Sequence, residues 1–358
     1  MTAPTHRLAK RLAAALLCLM SAAAIADDQD NKPNQQMQAV LDALGKLGGK
    51  PIQSLPPGLA RLQPSAADGV IELIQERGTV APDKLPPVGK VDTITIPGPA
   101  NNAIPARVYT PKGDGPFPAI VYFHGGGWVL GSIDTYDSSC RGLTDLNKAI
   151  VVSVDYRQAP ENKFPAAPED CYAALQWVMN NAQTIGGDPS KVAVVGESAG
   201  GNLAAVTCIM AKERGGKMPV AQVLVYPITN NNFDTPSYKA NANAKPLNAA
   251  MMKWFFNYYL PSPDKDTDIH VSPLRASNDQ LKGLPPTTIV TAEIDPLRDD
   301  GRNYAKKLKD AGVDVAAEDY AGVTHEFFGM ALVLDKAKTA NAFVAGRLKT
   351  AFAAKSID

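Results

Sequence analysis

Residues 192–201 read Val192-Ala-Val-Val-Gly-Glu-Ser-Ala-Gly-Gly201, and an apolar helical run, Leu203-Ala-Ala-Val-Thr-Cys-Ile209, follows. A short apolar run that breaks at glycine and restarts with helical spacing is a buried strand turning sharply into a helix. The residue at such a turn is strained, and its side chain stands clear of both arms. Glycines two before and two after it fit a crossing so close that a Cβ would collide. The helix that begins there adds free N–H groups and the positive end of its dipole. Ser198 therefore reads as a nucleophile, with the Ala199 N–H as one donor to an oxyanion formed beside it.

The same rhythm continues on either side. Val91–Ile96 alternates as a half-buried strand does, and Ile104–Tyr109 answers it. Nearly continuous apolar runs follow at Pro118–His124, Ile150–Asp155, Val192–Gly196, Val223–Tyr226, Thr288–Thr291 and Val313–Ala316. Helical stretches near 137–147, 168–183, 199–214, 299–311 and 333–352 separate or follow them. Apolar strands alternating with helices indicate a mostly parallel sheet, here of eight strands, covered by helices on both faces. The stretch 229–285 carries no strand signal but has an aromatic-rich helix, Met251-Met-Lys-Trp-Phe-Phe-Asn-Tyr-Tyr259. Insertions of this kind arch over the C-terminal edge of the sheet, where ligands bind. With helices at Gln35–Lys46 and Ala66–Arg77 in the segment 27–85, it is expected to form a cap on a domain spanning 86–358.

A serine nucleophile needs a base, and in sheets of this type the chain order is Ser, Asp or Glu, then His. Of four histidines, His6 lies near the start, His124 precedes the serine, and His270 falls in the insertion. His325, just after the last strand-like run, remains. Asp295 follows the strand Thr287–Ile294 and is the expected orienting acid. Asp299 and Asp300 are alternatives, but they fall where acids are common at a helix start. His124-Gly-Gly-Gly-Trp128 ends an earlier strand. Three glycines in a row imply bare backbone, so the N–H groups of Gly125 and Gly126 are expected to join Ala199 in an oxyanion hole. His124 reads as a brace for that loop. Trp128, Trp254, Phe255 and Phe256 are candidates for an apolar substrate pocket, with Tyr258 and Tyr259 beside them. No Gly-Lys-Ser/Thr, His-Glu-x-x-His or paired cysteine motif occurs, so no phosphate loop and no metal is expected.

Composition narrows the partners. Hydrophobic residues make up 45% and charged residues 20%, which excludes a disordered chain. Lys+Arg and Asp+Glu are both 36. That balance argues against nucleic acid as a partner. The first residues have the layout of a secretory leader: Arg7, Lys10 and Arg11, the uncharged run Leu12–Ile25, and the small residues around Ala26 before an acidic stretch. The run of about 14 residues is short of the roughly 20 that span a membrane. Cleavage near Ala26, with export to the periplasm or the medium, is the expectation. Cys140, Cys171 and Cys208 then remain. An odd count allows at most one internal disulfide, for which Cys140 and Cys171 are the candidates. Cys208, in an apolar helix, reads as a buried small hydrophobe.

Taken together, His124-Gly-Gly-Gly-Trp128, Asp155-Tyr-Arg-Gln-Ala-Pro-Glu161, Gly196-Glu-Ser-Ala-Gly-Gly201 and Asp295-Pro-Leu-Arg-Asp-Asp300 resemble the hormone-sensitive-lipase-like branch of the α/β-hydrolases, also called bacterial family IV esterases. The resemblance covers about 90–345. It implies an α/β-hydrolase fold and a serine carboxylesterase without cofactor, active on short- and medium-chain esters. It also implies a monomer or homodimer, with Asp155 and Tyr156 steadying the oxyanion loop. Two positions depart from the pattern: Glu197 replaces the commoner Asp or Thr, and Glu326 stands where Gly often follows the histidine. Two other readings share some of these features. A serine peptidase of prolyl-oligopeptidase type has the same triad order but carries a propeller-sized domain. A non-catalytic binding protein on a hydrolase scaffold would lack a triad member.

Overall fold

The computed structural model describes residues 31–78 and 85–354, so the expected leader, 1–26, lies outside the described residues. The chain divides into Met1–Lys32 and Pro33–Asp358, and every element below belongs to the second unit. Its centre is a sheet of eight strands: β1 (Lys90–Pro97), β2 (Ala103–Thr110), β3 (Phe117–Phe123), β4 (Ile150–Val154), β5 (Gly187–Glu197), β6 (Gln222–Val225), β7 (Thr287–Ile294) and β8 (Val315–Thr324). Their spatial order is β1-β2-β4-β3-β5-β6-β7-β8. Only β2 runs against its neighbours, and every pairing from β4 to β8 is parallel. This is the doubly covered sheet expected from the apolar runs.

Side-chain alternation along the strands divides the interior into two cores. On β3, Ala119, Val121 and Phe123 enter one core with α4 (Ala166–Asn181), α5 (Ala199–Glu213) and α7 (Arg298–Asp310). Ile120 and Tyr122 enter the other with α3 (Asp137–Asn147) and α8 (Asp335–Ala353). The last strand is longer than its apolar run suggested, reaching Thr324 instead of Ala316. As an edge strand it exposes Glu318 and Asp319, so its middle lacks the continuous apolar pattern of a covered strand.

The helices expected to form a cap come from two segments far apart in the chain. Helix α1 (Gln35–Lys46) is capped by Asn34, and α2 (Ala66–Arg77) by a reciprocal Ser65–Asp68 box. Both bury one face in the second core through Met37, Val40, Val70 and Leu73. The insertion contributes α6 (Ala249–Tyr259), which joins the first core. Trp254 Nε1 donates to the Leu55 carbonyl at 3.1 Å, tying the insertion to the N-terminal segment.

Cys140 and Cys171 do not pair. Cys140 is on α3 in one core and Cys171 on α4 in the other, with the sheet between them, and the three cysteines among the described residues are buried free thiols. Alkylating the unfolded chain without reductant should therefore label Cys140, Cys171 and Cys208 alike. The melting temperature should not change when a reductant is added. A mass-spectrometric Cys140–Cys171 cross-link would contradict this arrangement.

Candidate active site

Strand β5 ends in the turn at Ser198, whose φ of 57° is rare for a residue with a side chain. The turn is held from several sides. Ser198 N–H donates to the Val225 carbonyl at 2.9 Å, and the Ser198 carbonyl accepts from Asn202 N–H at 3.0 Å. A Cβ on Gly196 would strike the Gly200 carbonyl, and one on Gly200 would strike the Phe123 carbonyl. The two glycines thus let β5, α5 and the end of β3 meet backbone to backbone, and the side chain of Ser198 is left facing the cavity.

The ends of three parallel strands bring the remaining groups to it. His325 Nε2 lies 2.9 Å from Ser198 Oγ, and His325 Nδ1 lies 2.7 Å from Asp295 Oδ2. Asp295, wholly buried, also accepts the Leu297 N–H at 2.8 Å, which sets its carboxylate plane. Burial pulls the imidazole of His325 toward its neutral form. Asp295, with Glu326 and Glu197 further off, outweighs that pull and holds the pKa above the usual 6.5. Asp299 and Asp300, the alternative acids, serve elsewhere. Asp299 accepts from Ser237 N–H, while Asp300 accepts from Thr229 and Asn230 N–H, so both fasten the root of the insertion.

The glycine loop after β3 lies against the same cavity through Gly126 and Gly127. The N–H groups of Gly125 and Gly126 have no protein acceptor among the described residues. The Ala199 N–H, in the first turn of α5, has none within its helix. His124 is buried and stacked on Tyr156 with ring centroids 4.4 Å apart. Burial holds its pKa down to about 4, and its Nδ1 meets the Gly125 carbonyl at 2.8 Å. The Tyr156 hydroxyl donates to the His124 carbonyl at 2.8 Å, steadying the loop as expected. Asp155 does not, because its side chain is exposed and makes no hydrogen bond to the loop among the described residues. Gln158 braces the loop instead, donating to the Leu130 and Gly131 carbonyls at 2.7 and 3.1 Å. Arg61, from the N-terminal segment, donates to the Val129 and Ala159 carbonyls and pairs with Glu161. Gln158 lies within the motif 155–161 but its role is not readable there, and Arg61 does not stand out at all, because their partners are carbonyls of a loop whose path no local pattern reveals.

The site opens into a cavity of about 960 Å³, walled by Leu41, Leu44, Val70 and Ile74 from the N-terminal helices and by Met251 and Phe255 from α6. Of the four aromatic candidates, Phe255 alone reaches this wall. Trp128 stacks on Tyr259 at 4.1 Å with Phe256 against its edge, and Trp254 packs on Tyr258. These side chains form the support behind the wall, because α6 turns only one stripe of its surface toward the cavity.

Glu197, next to Ser198 in the chain, is wholly buried and hydrogen-bonded within a tyrosine cluster. It accepts the Tyr122 hydroxyl at 2.6 Å and the Tyr226 hydroxyl. Burial, reinforced by the nearby Glu326, pushes its pKa up to about 7.

A family model described as alpha/beta hydrolase fold matches residues 120–329. Carboxylesterase NlhH of Mycobacterium tuberculosis is 42% identical over 291 residues, covering 80% of this chain and 91% of that protein. A thermostable esterase from Pseudomonas putida superposes with a TM-score of 0.80 at 38% identity, over 90% of this chain and 99% of that one. A hyperthermophilic esterase from the archaeon Pyrobaculum calidifontis does so with a TM-score of 0.79 at 38% identity, over 89% and 98%. The chain belongs to the α/β-hydrolase family, in its hormone-sensitive-lipase-like branch. Within it, the protein is a carboxylic-ester hydrolase.

Glu197 also affects stability. A carboxyl whose pKa is raised on folding favours the native state below its unfolded value, and that contribution is lost as pH rises through about 7. The difference corresponds to something on the order of 3 kcal/mol. Glu197→Gln keeps the shape without the charge. Its melting temperature relative to wild type should rise between pH 5 and pH 8. A difference that stays constant with pH would show that Glu197 does not titrate in this range.

Proposed function

We propose that the protein hydrolyses short- to medium-chain carboxylic esters through an acyl-enzyme on Ser198. The observation that carries this reading is the unbroken contact from Ser198 Oγ through His325 to Asp295, at 2.9 and 2.7 Å, on the wall of one cavity. Ser198 Oγ attacks the ester carbonyl as His325 Nε2 takes its proton. The carbonyl electron pair moves to oxygen, where the N–H groups of Gly125, Gly126 and Ala199 receive the charge. Collapse of the intermediate breaks the bond to the alcohol, which leaves with the proton from His325. Water then repeats the cycle on the acyl group and releases the acid. Asp295 holds the imidazole with Nε2 toward the serine and stabilises its charged form. The apolar walls around the cavity favour a hydrocarbon acyl or alcohol group, and its size lies near the upper end of the range for ligand pockets, about 1,000 Å³.

Hydrolysis of p-nitrophenyl esters from acetyl to palmitoyl tests the reading. The rate should peak between two and eight carbons. Ser198→Ala should lower kcat by about 10⁴-fold or more. Because His325 must be neutral to accept the proton, kcat/KM should fall tenfold per pH unit on the acid side, with the bend above pH 6.5. A rate flat from pH 8 to pH 5, or amide hydrolysis as fast as ester hydrolysis, would count against this mechanism.

We also propose that the protein is exported, on the strength of the basic start and uncharged run before Ala26. N-terminal sequencing of protein from the periplasm or the medium should begin at residue 27. Full-length protein confined to the cytoplasm would refute it.

A further inference from the structure

Glu326 follows His325 directly and occupies the left-handed region, at φ 70°. Glycine adopts that conformation freely, whereas a glutamate is strained in it, so the side chain is placed there against a backbone cost. Its position is defined. The Tyr136 hydroxyl donates to Glu326 Oε1 at 2.7 Å, and the same oxygen lies 3.9 Å from His325 Nε2. That is too far for a direct hydrogen bond, but close for an interaction between charges. Asp295 approaches the opposite nitrogen, Nδ1. The imidazole therefore has a carboxylate on each side, and Glu326 is on the side from which the proton of Ser198 arrives.

We propose that Glu326 is a positioning residue that acts through His325, a second carboxylate held by Tyr136 to stabilise the imidazolium formed while Ser198 is being acylated and deacylated. It touches no reacting atom and takes no proton from His325. The inference rests on His325 being the base of the proposed mechanism. The groups that face the imidazole are Ser198 and Glu197 at the end of β5, Tyr226 after β6 with its ring 4.5 Å away, Asp295 after β7, and Glu326 itself with Tyr136 behind it. Glu197 spends its carboxylate on Tyr122 and Tyr226, which leaves Glu326 as the carboxylate facing Nε2. The raised pKa of His325 agrees with this arrangement.

The test is the pH profile of kcat/KM for Glu326→Gln and Glu326→Gly beside wild type. The Gln variant keeps the side-chain shape and removes the charge. The Gly variant also relieves the backbone, so it stays folded if the Gln variant does not. In both, the acid bend should move down by about one unit or more, because a charge about 4 Å away interacts nearly that strongly even in bulk water and more strongly where water is excluded. The rate on the alkaline plateau should fall several-fold. The deficit should therefore shrink or vanish toward acid pH, whereas a purely structural loss lowers the rate equally at every pH. NMR titration of the His325 imidazole, in wild type and Glu326→Gln without substrate, reads the same shift independently of turnover. If wild type hydrolyses no ester, the proposed mechanism fails, and the NMR titration still decides the role of Glu326. A bend and an imidazole titration both unmoved in a folded variant would overturn the inference.

Discussion

Strand β5, helix α5 and the end of β3 come so close at Gly196, Gly200 and the Phe123 carbonyl that no side chain fits among them. This crossing constrains everything around the site. It forces Ser198 into an unfavourable φ, aims its side chain at the cavity, and places the free N–H at the start of α5 on the same side as the glycine loop after β3. A strained backbone of this kind persists only where its surroundings over-determine it. Here the bonds to Val225 and Asn202 on the flanking elements supply that determination. The exposed position of Ser198 is thus a product of packing between three elements.

The position of the other groups follows from strand direction. With β3 and β5 to β8 parallel, their C-terminal ends share one edge, and the glycine loop, Ser198, Asp295 and His325 each sit at the end of a strand. Residues far apart in sequence meet within hydrogen-bond distance because the sheet brings those ends together. Electrostatics then differentiates the carboxylates gathered there. Asp295 contacts the imidazole of His325. Glu197 is buried among hydroxyl groups and holds a proton up to about pH 7.

This logic explains what could be read in the sequence. Ser198, His325 and Asp295 were legible because local pattern and chain order restrict them strongly: a strand, a glycine-flanked turn, a single histidine after the last strand. The two-sided sheet was legible in its apolar runs. The exposed half of β8 was not, since an edge strand carries charged residues and loses the pattern. The aromatic helix α6 showed that aromatics were present but not which way they point, and only Phe255 faces the cavity. The Cys140–Cys171 pairing failed for a related reason: sequence spacing does not reveal that a sheet stands between two helices. Glu326 stood out as a departure from a glycine, but its closeness to His325 Nε2 depends on Tyr136, 190 residues away in the chain.

The start of the described domain is joined to its last strand. The Asn34 N–H donates to the Gly322 carbonyl at 2.8 Å, and Met37 packs beside Thr324 at the end of the last strand. Contacts so distant along the chain close late in folding, because the entropy of a long loop must be lost before they form. During synthesis, strands up to β7 can assemble while His325 is still within the ribosome. Ser198 then has its bend without His325 beside it, and the N-terminal helices have no finished edge to rest on. The arrival of β8 supplies both together. The meeting of Ser198 with His325 and the closure of this side of the cavity therefore belong to the same late step of folding.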